Sequence, residues 1–339
     1  MKPGSPFEVG RNVSDAVDAK VASHFERSGH HDAVAQGIVS GALPLKFAYA
    51  GSAAYTHDEL ANHEGYQSVT GASSRVRDAL RKVGLDNVPA LAEIGPGNGV
   101  SSLALLARLH DAKQPPVAFL GLDFSQTLLA IAKRRFERER PDIRFSEQLW
   151  DVEEGPTTKI DEWRPDGAPL TLLFLGNTIG NLERPGAALR HIQRSMRVGD
   201  TLVIGATLRT RDAGAEAMLL PYRNQAFRNA ALEPLVASGI SPDDVDFRLS
   251  YEKDEVIGHA VLLRPLFLLD QELPVGHSVR CFVSRRHLPS EIDDLVSCAG
   301  LRPLVPNDDE SADHLVVIVV KDADDEPTAP VSISGPVRS

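Results

Sequence analysis

Residues 90–99 read Ala90-Leu91-Ala92-Glu93-Ile94-Gly95-Pro96-Gly97-Asn98-Gly99. An apolar run meets an acid and passes into a turn with three glycines. Apolar residues at helical spacing follow (Val100, Leu103, Leu105, Leu106, Leu109), and the next apolar run, 117–122, closes on Asp123. Strand, glycine turn, helix, strand and acid is the order of a βαβ unit that holds a nucleoside-bearing cofactor. Glycines let the backbone approach a ligand, and a carboxylate at the end of the second strand can accept hydrogen bonds from ribose hydroxyls.

Spacing decides between cofactors. A dinucleotide fingerprint needs its third glycine three residues after the second. Here Gly99 comes two residues after Gly97, Val100 stands where the dinucleotide glycine belongs, and Glu93 precedes the first glycine by two. This Glu-x-Gly-x-Gly-x-Gly loop resembles motif I of the class I S-adenosylmethionine methyltransferases. The resemblance implies S-adenosyl-L-methionine as cofactor, with Glu93, Gly95, Gly97, Gly99 and Asp123 around it. The plain alternative is a tight turn with no ligand, and the arrival of Asp123 at the end of the next strand weighs against it.

The alternation continues along the chain. Strands are expected at 89–94, 117–122, 143–145, 169–175, 200–206 and 314–320, and helices at 99–111, 126–138, 185–197, 213–237 and 288–299. Alternating strands and helices imply a parallel sheet covered on both faces, with its ligand at the carboxyl ends of the strands. Residues 240–287 break the pattern. Stretches 247–251, 255–268 and 277–284 read as three antiparallel strands forming an insert. A helical pattern is expected over 20–45, ending near Gly41, and two more helices over 57–84, with breaks around Glu64-Gly65 and Gly71. Residues 1–20 read as a flexible arm and 322–339 as a disordered acidic tail.

With 339 residues the chain can bury one large core or two smaller ones. A net charge of -11 disfavours broad nucleic-acid binding. The two cysteines, Cys281 and Cys298, are too few for a disulfide framework and suit a reducing compartment. No leader-like or membrane-length apolar run occurs, so a cytoplasmic enzyme is expected, with no membrane span, and a monomer or weak dimer. The eleven histidines show no metal-ligand spacing, so no metal is expected. Lys133-Arg134-Arg135 with Arg138 and Arg140 reads as a solvated helix face.

Two further constellations lie after strands. Trp150-Asp151 follows the third strand. In methyltransferases of this fold an acid there takes the adenine amino group, and otherwise Asp151 is a surface acid. After the fourth strand comes Phe174-Leu175-Gly176-Asn177-Thr178-Ile179-Gly180-Asn181-Leu182. Its glycines and amides suit a loop that meets a polar ligand without bringing charge, or a loop that only caps the strand ahead of Pro185.

The 174–182 stretch closely resembles the loop of the ergothioneine-pathway histidine Nα-methyltransferases, a family that includes dimethylallyltryptophan N-methyltransferases. Weaker similarity runs through 45–52, 64–67, 122–125, 199–205, 221–224 and 299–301. The resemblance implies a two-lobed α/β protein. Residues 85–212 plus 287–321 would form a Rossmann-like cofactor domain, and 21–84 plus 213–286 an α+β substrate lobe. It implies that Asn181 and Tyr222 hold the carboxylate and amine region of an amino acid, and that Tyr66 closes the pocket. Gly176 and Thr178 would line the methyl-transfer site.

One departure bears on substrate. The histidine enzymes read the imidazole with a Glu-x-Ser pair on a late strand, which here falls at Phe282 and Ser284. Residues two apart share a strand face, so Arg280, Phe282 and Ser284 are expected together. A phenylalanine cannot hydrogen-bond an imidazole. The expectation is an N-methyltransferase acting on an amino acid or related small amine other than histidine, in a specialised biosynthetic pathway. Alternatives are histidine Nα-trimethylation, guanidine (arginine) N-methylation, or a catalytically silent cofactor-binding partner subunit. Motif I departs too, since Ser101 stands where the family often carries lysine.

Overall fold

The structure, a computed structural model, describes residues 25–61, 73–85, 88–109, 116–209, 214–304 and 313–322. The arm at 1–20, Tyr66 and nearly all of the 322–339 tail lie outside the described residues. The first described helices are α1 (His30–Ser40), α2 (Ser52–Ala61) and α3 (Ser73–Lys82), with a 3-10 turn at Leu45–Tyr49. Then come β1 (Ala90–Ile94), α4 (Val100–Leu109), β2 (Ala118–Asp123), α5 (Gln126–Glu139), β3 (Arg144–Leu149), α6 (Lys159–Trp163), β4 (Thr171–Phe174), α7 (Thr178–Asn181), α8 (Pro185–Ser195) and β5 (Thr201–Thr207). The insert holds α9 (Ala215–Leu219), α10 (Gln225–Ala237), β6 (Val245–Glu252), β7 (Glu255–Leu262), β8 (Leu266–Leu268), β9 (Gln271–Leu273) and β10 (Ser278–Arg285). The chain returns through α11 (Pro289–Cys298), β11 (Arg302–Pro303) and β12 (His314–Val320).

The main sheet runs β11-β12-β5-β4-β1-β2-β3. Its pairings are parallel from β3 through β5, while β12 is antiparallel to both β5 and β11. Every residue of β1, β2 and β4 is buried, which is why these strands read as unbroken apolar runs rather than alternating ones. One face packs Leu120, Leu122, Phe174, Ile192 and Val317 together, and the other packs Leu91, Phe119, Phe136 and Leu173. A fully buried side chain of this size contributes about 1.5–3 kcal/mol. Because β1 lies between β2 and β4, the direction of strand progression reverses between β1 and β4. The loops leaving their carboxyl ends splay apart there and leave a crevice.

The N-terminal residues and the insert share a second core. Val34, Ile38, Leu45 and Phe47 pack with Leu219, Phe227, Leu235, Val256 and Phe282. The antiparallel sheet β10-β7-β6 supports that core. Helix α3 departs from the 21–84 grouping, because its Val76 and Leu80 join the sheet cluster of Leu91, Leu103 and Phe119. Among the described residues no helix is long and apolar enough to cross a membrane, and no His, Cys, Asp and Glu cluster could hold a metal ion.

Several elements differ from the sequence expectation. The third strand runs six residues, through Leu149, so Trp150-Asp151 sits at its carboxyl end. The helix expected over 213–237 is broken. A 3-10 turn at Leu220–Tyr222 contains Pro221, and Asn224 caps α10 by accepting the Phe227 N–H at 2.8 Å. The strand expected over 255–268 divides into β7 and β8. On β10 a bulge falls between Arg280 and Phe282, leaving Cys281 without a register partner on β7.

Candidate functional site

Two loops flank the crevice, one after β1 at Gly95–Gly99 and one after β4 at Leu175–Asn177. The first turn approaches the start of α7 closely, since a Cβ built on Gly95 would lie 3.3 Å from Thr178 Cγ2. Gly97 and Gly176 have φ of +57° and +70°, a left-handed backbone that favours glycine. A Cβ at either would meet no protein atom within 4 Å. Both residues line a cavity walled also by Gly95, Asn98, Asp123, Trp150, Asp151, Thr178 and Asn181.

Asp123 ends β2 with Oδ2 accepting the Gly97 N–H at 3.2 Å and Oδ1 accepting the Ser125 N–H at 2.9 Å. Burial pushes its pKa up to about 6, against the pull of those two N–H donors. Asp151 Oδ1 accepts the Glu153 N–H at 3.0 Å, and its Oδ2 pairs with Lys46. Thr178 lines the cavity with its hydroxyl turned back to the Leu175 carbonyl at 2.7 Å.

Two expected cofactor residues stand elsewhere. Glu93 is buried behind the loop, where it accepts a hydrogen bond from Ser102, and burial pushes its pKa up to about 7. Gly99 is wanted for packing, because a Cβ there would lie 3.1 Å from Ala132 Cβ and 3.3 Å from the Phe136 ring. Neither is part of the cavity wall. These two positions hold the turn against the helices rather than face a ligand.

A second cavity lies between the loop after β4 and the insert. Its wall includes Tyr222, Phe227, Phe282, Ser284 and Arg286. The Phe282 ring sits 5.3 Å from that of Tyr222 and 4.7 Å, edge-on, from that of Phe227. Gly258 opposite makes room, since a Cβ there would come within 2.9 Å of Phe282 Cβ. Ser284 Oγ accepts from Asn177 Nδ2 at 3.3 Å, and Asn177 Oδ1 accepts the Thr207 N–H at 2.9 Å. These bonds stitch the loop to β10 and β5. The bulge corrects one expectation: Arg280 leaves the face of Phe282 and Ser284 and pairs with Glu183 at 2.7 Å.

The two cavities share a wall of Tyr49, His57, Gly176 and Asn181. Asn181 Oδ1 is buried there without a hydrogen-bond partner among the described residues, an acceptor that a polar ligand would satisfy. Burial pulls the pKa of His57 down to about 4, and that of His314 on the second cavity likewise. Both imidazoles are neutral at neutral pH.

Lys46, Tyr49, His57 and Arg286 were not singled out as site residues from the sequence. Arg286 carries the one usable signal, since it continues the i, i+2 face of Phe282 and Ser284. Lys46, Tyr49 and His57 reach the crevice from residues far away in the chain. Arg135, expected on a solvated face, instead donates to the Asn98 carbonyl at 2.8 Å and pairs with Asp58 at 3.1 Å.

Residues 73–226 match the family model described as histidine-specific methyltransferase, SAM-dependent. Solved structures also resemble the chain, at low identity. An S-adenosylmethionine-dependent methyltransferase from Clostridium acetobutylicum aligns at 9% identity and a TM-score of 0.42, over 73% of this chain and 91% of that one. DesVI of Streptomyces venezuelae aligns at 14% and 0.40, over 80% and 99%. Magnesium protoporphyrin IX methyltransferase from Synechocystis PCC 6803, solved with bound SAH, aligns at 10% and 0.44, over 81% and 97%. No curated protein matches the chain.

Proposed function

We propose, from the premise that this chain is an S-adenosylmethionine-dependent methyltransferase whose residues 73–226 match the histidine-specific family model, that it methylates the nitrogen of an amino acid or related small amine other than histidine. It would do so in the cytoplasm, as a monomer or weak dimer, within a specialised biosynthetic pathway. The observation that carries this reading is the shared wall: Gly176 and Asn181 belong to both cavities. A cofactor in one cavity and an acceptor in the other would meet there.

The first cavity fits the cofactor. The space beside Gly97 and Gly176, which any Cβ would fill, admits a ligand against the backbone. Asp123 would accept from the ribose hydroxyls and Asp151 from the adenine amino group. When bound, S-adenosylmethionine supplies a methyl carbon on a sulfonium sulfur, whose C–S bond breaks as the new C–N bond forms. The chain's own part is position and environment. Asn181 orients the acceptor at the shared wall, with Thr178 and Gly176 beside it. Tyr222, Phe282 and Ser284 shape the far end.

An attacking amine must be uncharged. A wall of Leu45, Leu60, Phe227 and Phe282 disfavours the ammonium form, because burial penalises the charged state. Histidine is the second reading, favoured by the family's description. Phe282 opposes it, offering no hydrogen bond to an imidazole where the family's glutamate would stand, and Ser284 is already bonded to Asn177.

Mass spectrometry tests the reading. The protein and S-adenosylmethionine carrying a labelled methyl group are incubated with histidine, arginine, tryptophan and their derivatives. A labelled methyl on the nitrogen of a non-histidine amine is the expected product. Trimethylated histidine would overturn the substrate reading through Phe282. Bound cofactor with no methylated amine would overturn N-methylation altogether.

A further inference from the structure

Among the described residues a lysine and an arginine line the cavities, and they differ in one respect. Lys46 is paired with Asp151. Arg286 has no carboxylate within ion-pairing distance among the described residues, although Asp313 shares its cavity. Nearby arginines are all matched: Arg280 with Glu183, Arg285 with Glu255, Arg209 with Asp254. The side chain of Arg286 instead donates from Nη2 to Tyr222 Oη at 2.6 Å, with its guanidinium carbon 6.0 Å from the Tyr222 ring centroid.

That contact aligns donors rather than consuming them. A guanidinium carries five N–H donors in a fixed fork, and a phenol that accepts one of them keeps its own O–H to give. Arg286 and Tyr222 therefore offer neighbouring donors into one cavity, beside the rings of Phe227 and Phe282. A planar anion with two oxygens is the matching partner, since a guanidinium fork meets a carboxylate through two parallel hydrogen bonds. The neutral imidazole of His314 on the same wall adds no competing positive charge.

We propose that Arg286 is a further carboxylate-binding residue of the second cavity, beside Tyr222, for which the family resemblance already implies a part in holding the carboxylate and amine region. The acceptor is then an amine that carries a free carboxylate, rather than a decarboxylated amine, an amide or an amino sugar. The proposal rests on reading this cavity as the amine-acceptor site, and it adds which acceptors are admitted and which residue selects them.

The test uses acid and amine pairs that differ only in the carboxylate: L-tryptophan and tryptamine, L-phenylalanine and phenethylamine, L-arginine and agmatine, L-histidine and histamine. Binding is measured by calorimetry with S-adenosylhomocysteine present, and methyl transfer to the same compounds by mass spectrometry. At least one acid should bind roughly 10- to 100-fold more tightly than its amine, the range expected for a partly buried charge-assisted contact. Arg286→Gln should bring the pair within a few-fold of each other, Arg286→Lys should keep part of the preference, and neither should change S-adenosylhomocysteine affinity. That last control shows that both variants are folded. Equal binding of acid and amine, a preference that survives Arg286→Gln, or no binding by any acid would overturn the proposal. Methyl transfer to acids and amines alike would overturn it while sparing N-methylation. An Arg286-dependent preference without any transfer would do the reverse.

Discussion

At the scale of residues, Asp123 and Asn181 divide the labour and can be separated. Asp123 faces only the first cavity. Asp123→Ala should weaken S-adenosylmethionine binding by roughly 10- to 100-fold, the loss of hydrogen bonds to a charged acceptor; an unchanged Kd would refute the ribose role. Its pKa, pushed up to about 6 by burial, gives a signed pH dependence. Above about 6 the group is a carboxylate that accepts from both hydroxyls, and below it the protonated form predominates. Cofactor affinity should fall as pH drops from 7.5 to 5, and Asp123→Asn should flatten that fall. Asn181, on the shared wall, is expected to behave differently. Asn181→Ala should raise the acceptor KM and leave the cofactor Kd where it was. Equal loss of both would sink the assignment of the two cavities.

At the scale of elements, what was legible follows from how each element is buried. β1, β2 and β4 are buried on both faces and so announce themselves as apolar runs closed by glycine or acid. The break in the 213–237 helix was hidden because its apolar spacing continues across Pro221 and Asn224. The bulge on β10 was hidden because counting by twos assumes an unbroken ladder, and Arg280 was misplaced for that reason. The starts of β4 and β5 depend on a long-range pair that no local pattern reveals. Asp200 accepts from Arg164 through both oxygens, at 2.8 and 2.7 Å, and from the N–H groups of Leu170 and Arg197, each at 2.8 Å. Both side chains are almost wholly buried. Asp200→Ala would leave the buried Arg164 guanidinium with only Asp161, at 3.3 Å, and the Ala168 carbonyl, at 2.8 Å, and should cost about 3–5 kcal/mol in a denaturant titration. A loss under about 1 kcal/mol would show that water or a neighbour takes over the Arg164 charge.

At the scale of the molecule, the N-terminal residues close the cofactor crevice from outside the sheet. Glu26 accepts the N–H groups of Gln126 and Thr127 at the start of α5, each within 2.9 Å, and that of Gly51 at 2.8 Å. Lys46 reaches Asp151, and Asn98 Nδ2 donates to Asp58 at 2.7 Å. These contacts join positions tens to over a hundred residues apart, so the cofactor loop was readable in the sequence while half of its enclosure was not. Adding S-adenosylhomocysteine should slow amide exchange across residues 25–61 as well as in the glycine loop. Protection of the loop alone would mean that this segment does not close on the ligand. The central claim is that two cavities meet at Gly176 and Asn181 and that methyl transfer happens there. A crystal structure with S-adenosylhomocysteine bound tests it most directly. The account predicts ribose on Asp123, adenine beside Asp151, and the sulfur at the wall of Gly176 and Asn181, facing the cavity of Tyr222, Phe282 and Arg286. A sulfur turned away from that cavity, or a ligand bound outside the glycine loop, would contradict it.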